Sequence, residues 1–175
     1  MSVIKRLFSF LNVAVNGRLK VARKQGLKCG KGVTVMKNCD FGSEPYLITL
    51  GDNVRISNDV SFITHDGGSW VFRRYEGEYK NVVRFGRISV GDDTFLGARS
   101  VILPNVHIGK NCVIAAGAVV TKDIPDGSVA AGVPAKVLCS TEEYAERMKE
   151  RMPEDWDTLE FEKNKREYLE KVVPE

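Results

Sequence analysis

The sequence predicts a mainly β protein, a parallel β-helix solenoid flanked by a helix at its N-terminus and a helical extension at its C-terminus. Three observations carry this. A six-residue beat runs without a slip from Val90 to Pro125, beginning Val90-Gly91-Asp92-Asp93-Thr94-Phe95 and Leu96-Gly97-Ala98-Arg99-Ser100-Val101. The same phase continues upstream to Cys29 through two interruptions. Both ends of the chain lose that beat and show helical spacing instead. The predicted organisation is an amphipathic helical segment over 1–26, a solenoid over 27–138 with a loop insertion over 66–87, and a helical extension over 139–175.

A period of six fits a strand of two or three residues followed by a tight corner. Alternate strand residues face opposite sides, so the first and fifth places of each unit point inward together. The first place is always aliphatic and the fifth small or modest. Gly, Asn and Asp dominate the intervening places, where the chain turns and a positive φ is needed. Three units make one triangular coil. Coils stack about 4.8 Å apart, and each is stable only against its neighbours.

The interruptions can be located by phase. Cys29, Val35 and Phe41 are six apart, but Phe41 to Leu50 is nine, so three extra residues bulge out within Gly42–Tyr46. From Phe62 to Val90 is twenty-eight, which is six plus a twenty-two-residue insertion, Asp66 to Arg87. Val120 to Val129 is nine again, with Asp126-Gly127 as the turn. Thirteen units from Cys29 to Val129 make a little over four coils.

In the N-terminal segment Ile4, Leu7, Phe8, Leu11, Val15, Leu19 and Ala22 form one stripe. The apolar run is short and broken by Asn12, which argues against a signal peptide. Two readings stay open: a basic amphipathic helix resting on the inner face of a membrane, or a helix packed on the solenoid end or a neighbouring subunit. In the extension, Ser140 and Glu143 fit a capping box. Pro153 breaks the run, and Asp157 to Val172 resumes it with Trp156, Leu159, Tyr168 and Leu169 as an apolar seam.

A net charge of +3 makes no case for a nucleic-acid partner. Cys29, Cys39, Cys112 and Cys139 have neither metal-binding nor disulfide spacing, and reduced cysteines point to the cytoplasm. Only two histidines exist, so a three-histidine zinc centre is not expected.

The run Ala115-Ala116-Gly117-Ala118-Val119-Val120-Thr121-Lys122-Asp123-Ile124-Pro125, followed by Val129-Ala130-Ala131-Gly132-Val133-Pro134-Ala135-Lys136-Val137, resembles the hexapeptide-repeat acyltransferases. That family includes galactoside, maltose and xenobiotic O-acetyltransferases, serine acetyltransferases and sugar acetyltransferases of polysaccharide assembly. The resemblance implies a left-handed coil, a homotrimer, and acetyl-CoA as acyl donor in the groove between neighbouring solenoids. Ala98 and Ala116 resemble positions whose backbone meets the cofactor arm, Thr121 and Lys122 positions near its adenosine and phosphate, and Lys136 a basic residue at the CoA end.

Transfer to a hydroxyl needs a base of near-neutral pKa, which histidine supplies. His65, at the root of the long insertion, is the candidate base; His107, in the sixth place of its unit, is expected outward on a surface corner. Asp66 either orients His65, binds acceptor or closes a turn. Trp70 and Arg74 are acceptor candidates, because rings offer apolar faces to sugars and guanidinium groups bond hydroxyls or phosphates. The expected activity is acetyl transfer to a hydroxyl of a sugar or polysaccharide precursor. An amino-sugar nucleotide N-acetyltransferase and a xenobiotic O-acetyltransferase are the alternatives.

Overall fold

The computed structural model describes residues 17–154 and 156–173, which fall into two compact units, one up to Thr141 and one from Glu142 on. In the first, a helix α1 over residues 17–24 leads into the coils. The first coil runs through β1 (Lys28–Cys29) and β2 (Thr34–Val35) to Asp40, which bridges to Ser61. The second is β3 (Ile48–Leu50), β4 (Arg55–Ile56) and β5 (Ser61–Phe62). The third is β6 (Ile88–Val90), β7 (Phe95–Leu96) and β8 (Val101–Ile102), and the fourth β9 (Val106–Ile108), β10 (Val113–Ile114) and β11 (Val119–Val120). Ile124, bridged to Ile108, opens a fifth turn that continues into β12 (Ser128–Ala131); β13 (Lys136–Ser140) then folds back on β12 antiparallel.

Corresponding strands of successive coils join the same sheet. The first sheet is β1-β3-β6-β9, the third is β5-β8-β11, and the second runs β2-β4-β7-β10-β12 with β13 at its edge. All pairs except β12–β13 are parallel and in register. This is the three-sided coil that the beat predicts. The first-place residues from Val90 to Val120 and the fifth-place residues from Thr94 to Ile124 are all buried. Each buried Ile, Leu or Val contributes about 1.5–3 kcal/mol relative to exposure. Cys112 is one of these fifth-place fillers.

The corners have their own chemistry. The fourth place of nine units has positive φ: Gly32, Asn38, Asn53, Asp59, Asp93, Arg99, Asn105, Asn111 and Gly117. Asn, Asp and Gly tolerate this left-handed conformation best, and eight of the nine are of those types. At the corner between the first and second sheets, aspartates cap the coil before them. Asp52 Oδ1 accepts from Lys31 N (2.6 Å), Asp92 Oδ1 from Asp52 N (2.7 Å) and Asp126 Oδ1 from Lys110 N (2.9 Å). Glycine is required beside them: a Cβ on Gly91 would stand 2.6 Å from Lys110 N.

Of the N-terminal stripe, Leu19 and Ala22 are buried in the same core cluster as Val35 and Phe41 of the first coil, so residues 17–24 pack on the solenoid end. Ile4, Leu7, Phe8, Leu11 and Val15 lie outside the described residues. No helix among the described residues is long and apolar enough to cross a membrane.

The second unit holds nearly all of α2 (Thr141–Lys149), together with α3 (Thr158–Lys163) and α4 (Lys165–Val172). The single run expected from Asp157 to Val172 is divided at Asn164, which closes α3 and opens α4. Its small core also differs from the expected seam. Trp156, Phe161 and Tyr168 pack against one another in tilted and edge-to-face contacts with centroids 5.1–6.4 Å apart, while Leu159 is 78% exposed. The cap explains this: Asp157 accepts from Leu159 N and Glu160 N, which places Leu159 in the first turn and leaves Phe161 to meet the two rings.

Candidate active site

The two large departures from regularity stack on one corner, between the third and first sheets. In the first coil the chain leaves Phe41 through Gly42 (φ 65°), whose N–H donates to Asp40 Oδ1 at 2.9 Å. It bulges through Ser43 and Glu44 and returns by a 3-10 turn, Pro45–Leu47. Buried Pro45 fixes that turn, and Leu47 N bonds the Glu44 carbonyl at 3.0 Å. One coil on, the chain leaves Phe62 into the long insertion. Phe41 and Phe62 stack beneath this corner at 5.5 Å and 11°, which holds the two excursions in register.

The insertion has a defined neck. His65 pairs with Phe85 in an antiparallel bridge. Gly86 N donates to Thr64 O (2.8 Å) and Asp66 N to Arg84 O (2.9 Å). The His65 and Phe85 rings face each other at 5.7 Å. Beyond the neck the chain forms two 3-10 segments, Gly67–Arg74 and Gly77–Asn81, with no buried residue.

At the neck, Glu44 meets His65. Its Oε2 lies 2.9 Å from His65 Nδ1 and accepts from the Thr64 hydroxyl at 2.6 Å. An ionised carboxylate only accepts, so it selects the tautomer with a proton on Nδ1 and leaves Nε2 as the free acceptor. The Glu44 side chain is 14% exposed and that of His65 43%, so the carboxylate is enclosed while the imidazole reaches solvent. The Thr64 hydroxyl, ahead of the His65 contact, holds the Glu44 carboxyl below its ordinary range against the upward pull of its burial. Glu44 therefore stays charged at neutral pH and orients His65. It has no place in the six-residue beat. The signal that finds it is the corner count: the bulge and His65 both follow third-sheet strands of successive coils.

The other sequence-predicted residues divide between corners. Thr121 and Lys122 are exposed on the same corner as His65, two coils further along the third sheet. Ala98 and Ala116 lie on the corner between the second and third sheets, joined by Gly117 N to Ala98 O at 2.8 Å. A whole side of the coil, six residues or about 20 Å at ~3.3 Å each, separates that corner from the one carrying His65. Lys136 opens β13 and is exposed. Asp66 does not contact His65: it caps the first 3-10 segment by accepting from Gly68 N at 2.8 Å. Trp70 is 61% exposed, with the Arg74 guanidinium 5.7 Å above its ring.

His107 faces outward as expected, but from the middle of β9 rather than from a corner, with Nδ1 2.7 Å from Ser89 Oγ. Burial pushes the Cys39 thiol up to about 12, aided by the charge of Asp40, and burial also raises Cys112. Neither is poised as a thiolate nucleophile.

Comparison with known proteins agrees with this architecture. Residues 87–122 match the family described as hexapeptide repeat of succinyl-transferase. Protein CapG of Staphylococcus aureus is 45% identical over 130 residues, covering 73% of this chain and 74% of the relative. Galactoside O-acetyltransferase of Escherichia coli (strain K12) is 40% identical over 95 residues, 54% of this chain and 45% of the relative. Among solved structures, a maltose O-acetyltransferase from Clostridium difficile 630 superposes with a TM-score of 0.52 at 25% identity, covering 78% of this chain and 83% of that one.

Proposed function

Because this chain belongs to the hexapeptide-repeat acyltransferases, we propose that it transfers an acetyl group from acetyl-CoA to a hydroxyl of a sugar or polysaccharide precursor. The observation that carries this reading is the Glu44–His65 pair at the neck of the insertion. It supplies a histidine of fixed tautomer with its second nitrogen open to solvent. The named O-acetyltransferase relatives supply the reaction class.

In this reading the coil is left-handed and the protein a homotrimer. The two-corner arrangement supports an intersubunit site: Ala98 and Ala116 cannot reach His65 within one chain, but the same corners meet where two solenoids lie side by side. Their backbone lies along the donor's arm. Thr121 and Lys122, set about two coils or ~10 Å along the axis, and Lys136, further along it on β13, receive the adenosine and phosphates. Trp70 and Arg74 meet the acceptor, while Asp66 shapes the loop that carries them.

His65 Nε2 removes the acceptor hydroxyl proton as the oxygen bonds to the thioester carbonyl carbon. The tetrahedral intermediate collapses with cleavage of the carbon–sulfur bond. The CoA thiolate leaves and regains the proton from His65, so no other reactant is consumed. Glu44 stabilises the imidazolium that forms between the two proton transfers. A base of this kind contributes about 10²–10⁴ in rate.

The test is acetyl transfer from labelled acetyl-CoA to a panel of sugars, amino sugars, sugar nucleotides and antibiotics, with the product linkage read by mass spectrometry and NMR. The expected product is a sugar O-acetyl ester. Transfer only to amines overturns the O-acetyl assignment, and transfer only to antibiotics overturns the sugar assignment.

A further inference from the structure

Two independent features place uncompensated positive charge around His65. The first is the insertion. Between residues 66 and 87 the cations Arg73, Arg74, Lys80, Arg84 and Arg87 stand against Asp66, Glu76 and Glu78, five against three. That segment of twenty-two residues holds a surplus of +2, when the whole chain carries +3. One of its three carboxylates, Asp66, is turned to Gly68 N. Among the described residues none of the four arginines has a carboxylate partner. Arg84 is adjacent to Phe85 in the neck, so strand alternation turns it away from the side on which the Phe85 ring meets His65. Arg87 lies two residues from Phe85 and beside inward-facing Ile88, so it projects outward on the same side as the Phe85 ring.

The second feature is Arg99. Of the nine fourth-place residues with positive φ, eight are Asn, Asp or Gly, and Arg99 (φ 59°) is the exception. A long side chain in the left-handed region is a strained choice that the repeat avoids everywhere else. Its guanidinium is exposed and has no carboxylate partner among the described residues. It stands on the corner leading into β8, the strand that pairs with β5, and His65 follows β5 by three residues. Along the solenoid axis Arg99 and His65 are therefore within one coil of each other, about 5 Å. In the proposed trimer, with its three-fold axis parallel to the solenoids, height is preserved, and Arg99 of one copy stands level with His65 of the next. It is level with the reacting end of the groove, not with Thr121 and Lys122.

We infer that the acceptor is an anionic saccharide, a sugar bearing a carboxylate or a phosphate, whose charge is gripped by Arg87 beside the base and by Arg99 of the adjacent copy. The inference rests on acetyl transfer at His65 in a trimer and names the class of acceptor that such a site selects. Arginine suits it, because its fork bonds carboxylate and phosphate oxygens in pairs. Exposed Trp70, with Arg74 across its ring, offers a face for the sugar ring itself.

The experiment measures acetyl transfer to glucose, glucuronic acid, glucose 1-phosphate and UDP-glucose by the wild type, Arg87→Gln and Arg99→Asn. At least one charged acceptor is expected to exceed glucose in kcat/KM by about tenfold or more, a gap that narrows as salt rises. Glucuronic acid leading identifies a carboxylate, and the other two a phosphate. Both variants should lower the charged-to-neutral ratio through the acceptor KM and leave the acetyl-CoA KM unchanged. Arg99→Asn should also raise the melting temperature by about 2–4 °C, because it relieves the corner. Equal use of glucose and the charged acceptors overturns the inference. So does a shift in acetyl-CoA KM, which assigns the arginines to the donor, or dissociation of the Arg99→Asn trimer, which assigns Arg99 to assembly. If none of the four sugars is acetylated while amines are, the O-acetyl reading itself fails and this inference falls with it.

Discussion

Two corners of the same triangular coil have been put to opposite uses. Between the first and second sheets the corner is closed. Asp52, Asp92 and Asp126 cap the coil before them, and Gly51 and Gly91, beside the first two, leave no room for a Cβ. Between the third and first sheets the corner is opened twice, by the Glu44 bulge and by the insertion after His65. Both begin from the same strand-and-turn unit. The repeat tolerates an excursion wherever the neck can be sealed by its own hydrogen bonds, as Gly86 to Thr64 and Asp66 to Arg84 do here. The closed corner holds the coils together, and the open one carries the proposed base.

The sharpest way to separate the two roles is to exchange residues 67–83 for a two-residue turn. The neck pairing at His65 and Phe85 survives this change, and the solenoid should melt within a few degrees of the wild type. Acceptor turnover should fall below detection, as followed by acetyl-CoA consumption. A collapse of the fold instead would mean that the open corner is structural too.

The reverse experiment strikes the closed corner. Gly91→Ala drives a Cβ against the Lys110 backbone. Backbone cannot yield as a side-chain tip would, so about 2–4 kcal/mol of stability should be lost. Urea melts measure the loss, and kcat at a temperature where the variant is folded should be unchanged.

Glu44→Gln tests the link within the open corner. It keeps the shape but removes the charge that selects the His65 tautomer, and kcat should drop by about 10–100-fold with little change in the acetyl-CoA KM. The pH dependence carries its own sign. The folded-state pKa of Glu44 is depressed, so its contribution to stability is present above the unfolded-state pKa and lost as pH falls through the folded value. Wild type and Glu44→Gln should therefore differ in melting temperature at neutral pH and converge in acid.

The smallest effect belongs to the closed wall of the coil. Ser100 Oγ is buried without a hydrogen-bond partner among the described residues. Ser100→Ala should leave activity intact and stabilise the fold by about 0.5–1 kcal/mol, as read by thermal melts.

The closed corner was the more legible of the two. A strict period states which residues face inward, and Val90 through Ile124 follow it without exception. His65 was legible because the phase breaks beside it. Glu44 was not, because a bulge has no period and its partner is twenty-one residues away. Counting corners in threes reveals it, since both breaks then fall on one edge. Of the readings open for Asp66, the structure bears out the turn, because strand alternation points neighbours apart and its carboxylate caps the first 3-10 segment. Helical spacing alone does not show that the Asp157 cap puts Leu159 in the exposed first turn of α3, so that Phe161 takes its place in the aromatic core.

The central claim is that the open corner supplies the base. The rate of acetyl transfer by His65→Ala, at saturating acetyl-CoA and with the oligomeric state confirmed equal to that of the wild type, tests it most directly. A fall in kcat of about 100-fold or more, with the acetyl-CoA KM within about threefold of the wild type, is the predicted result. Undiminished turnover would contradict it and would move the chemistry elsewhere on the solenoid.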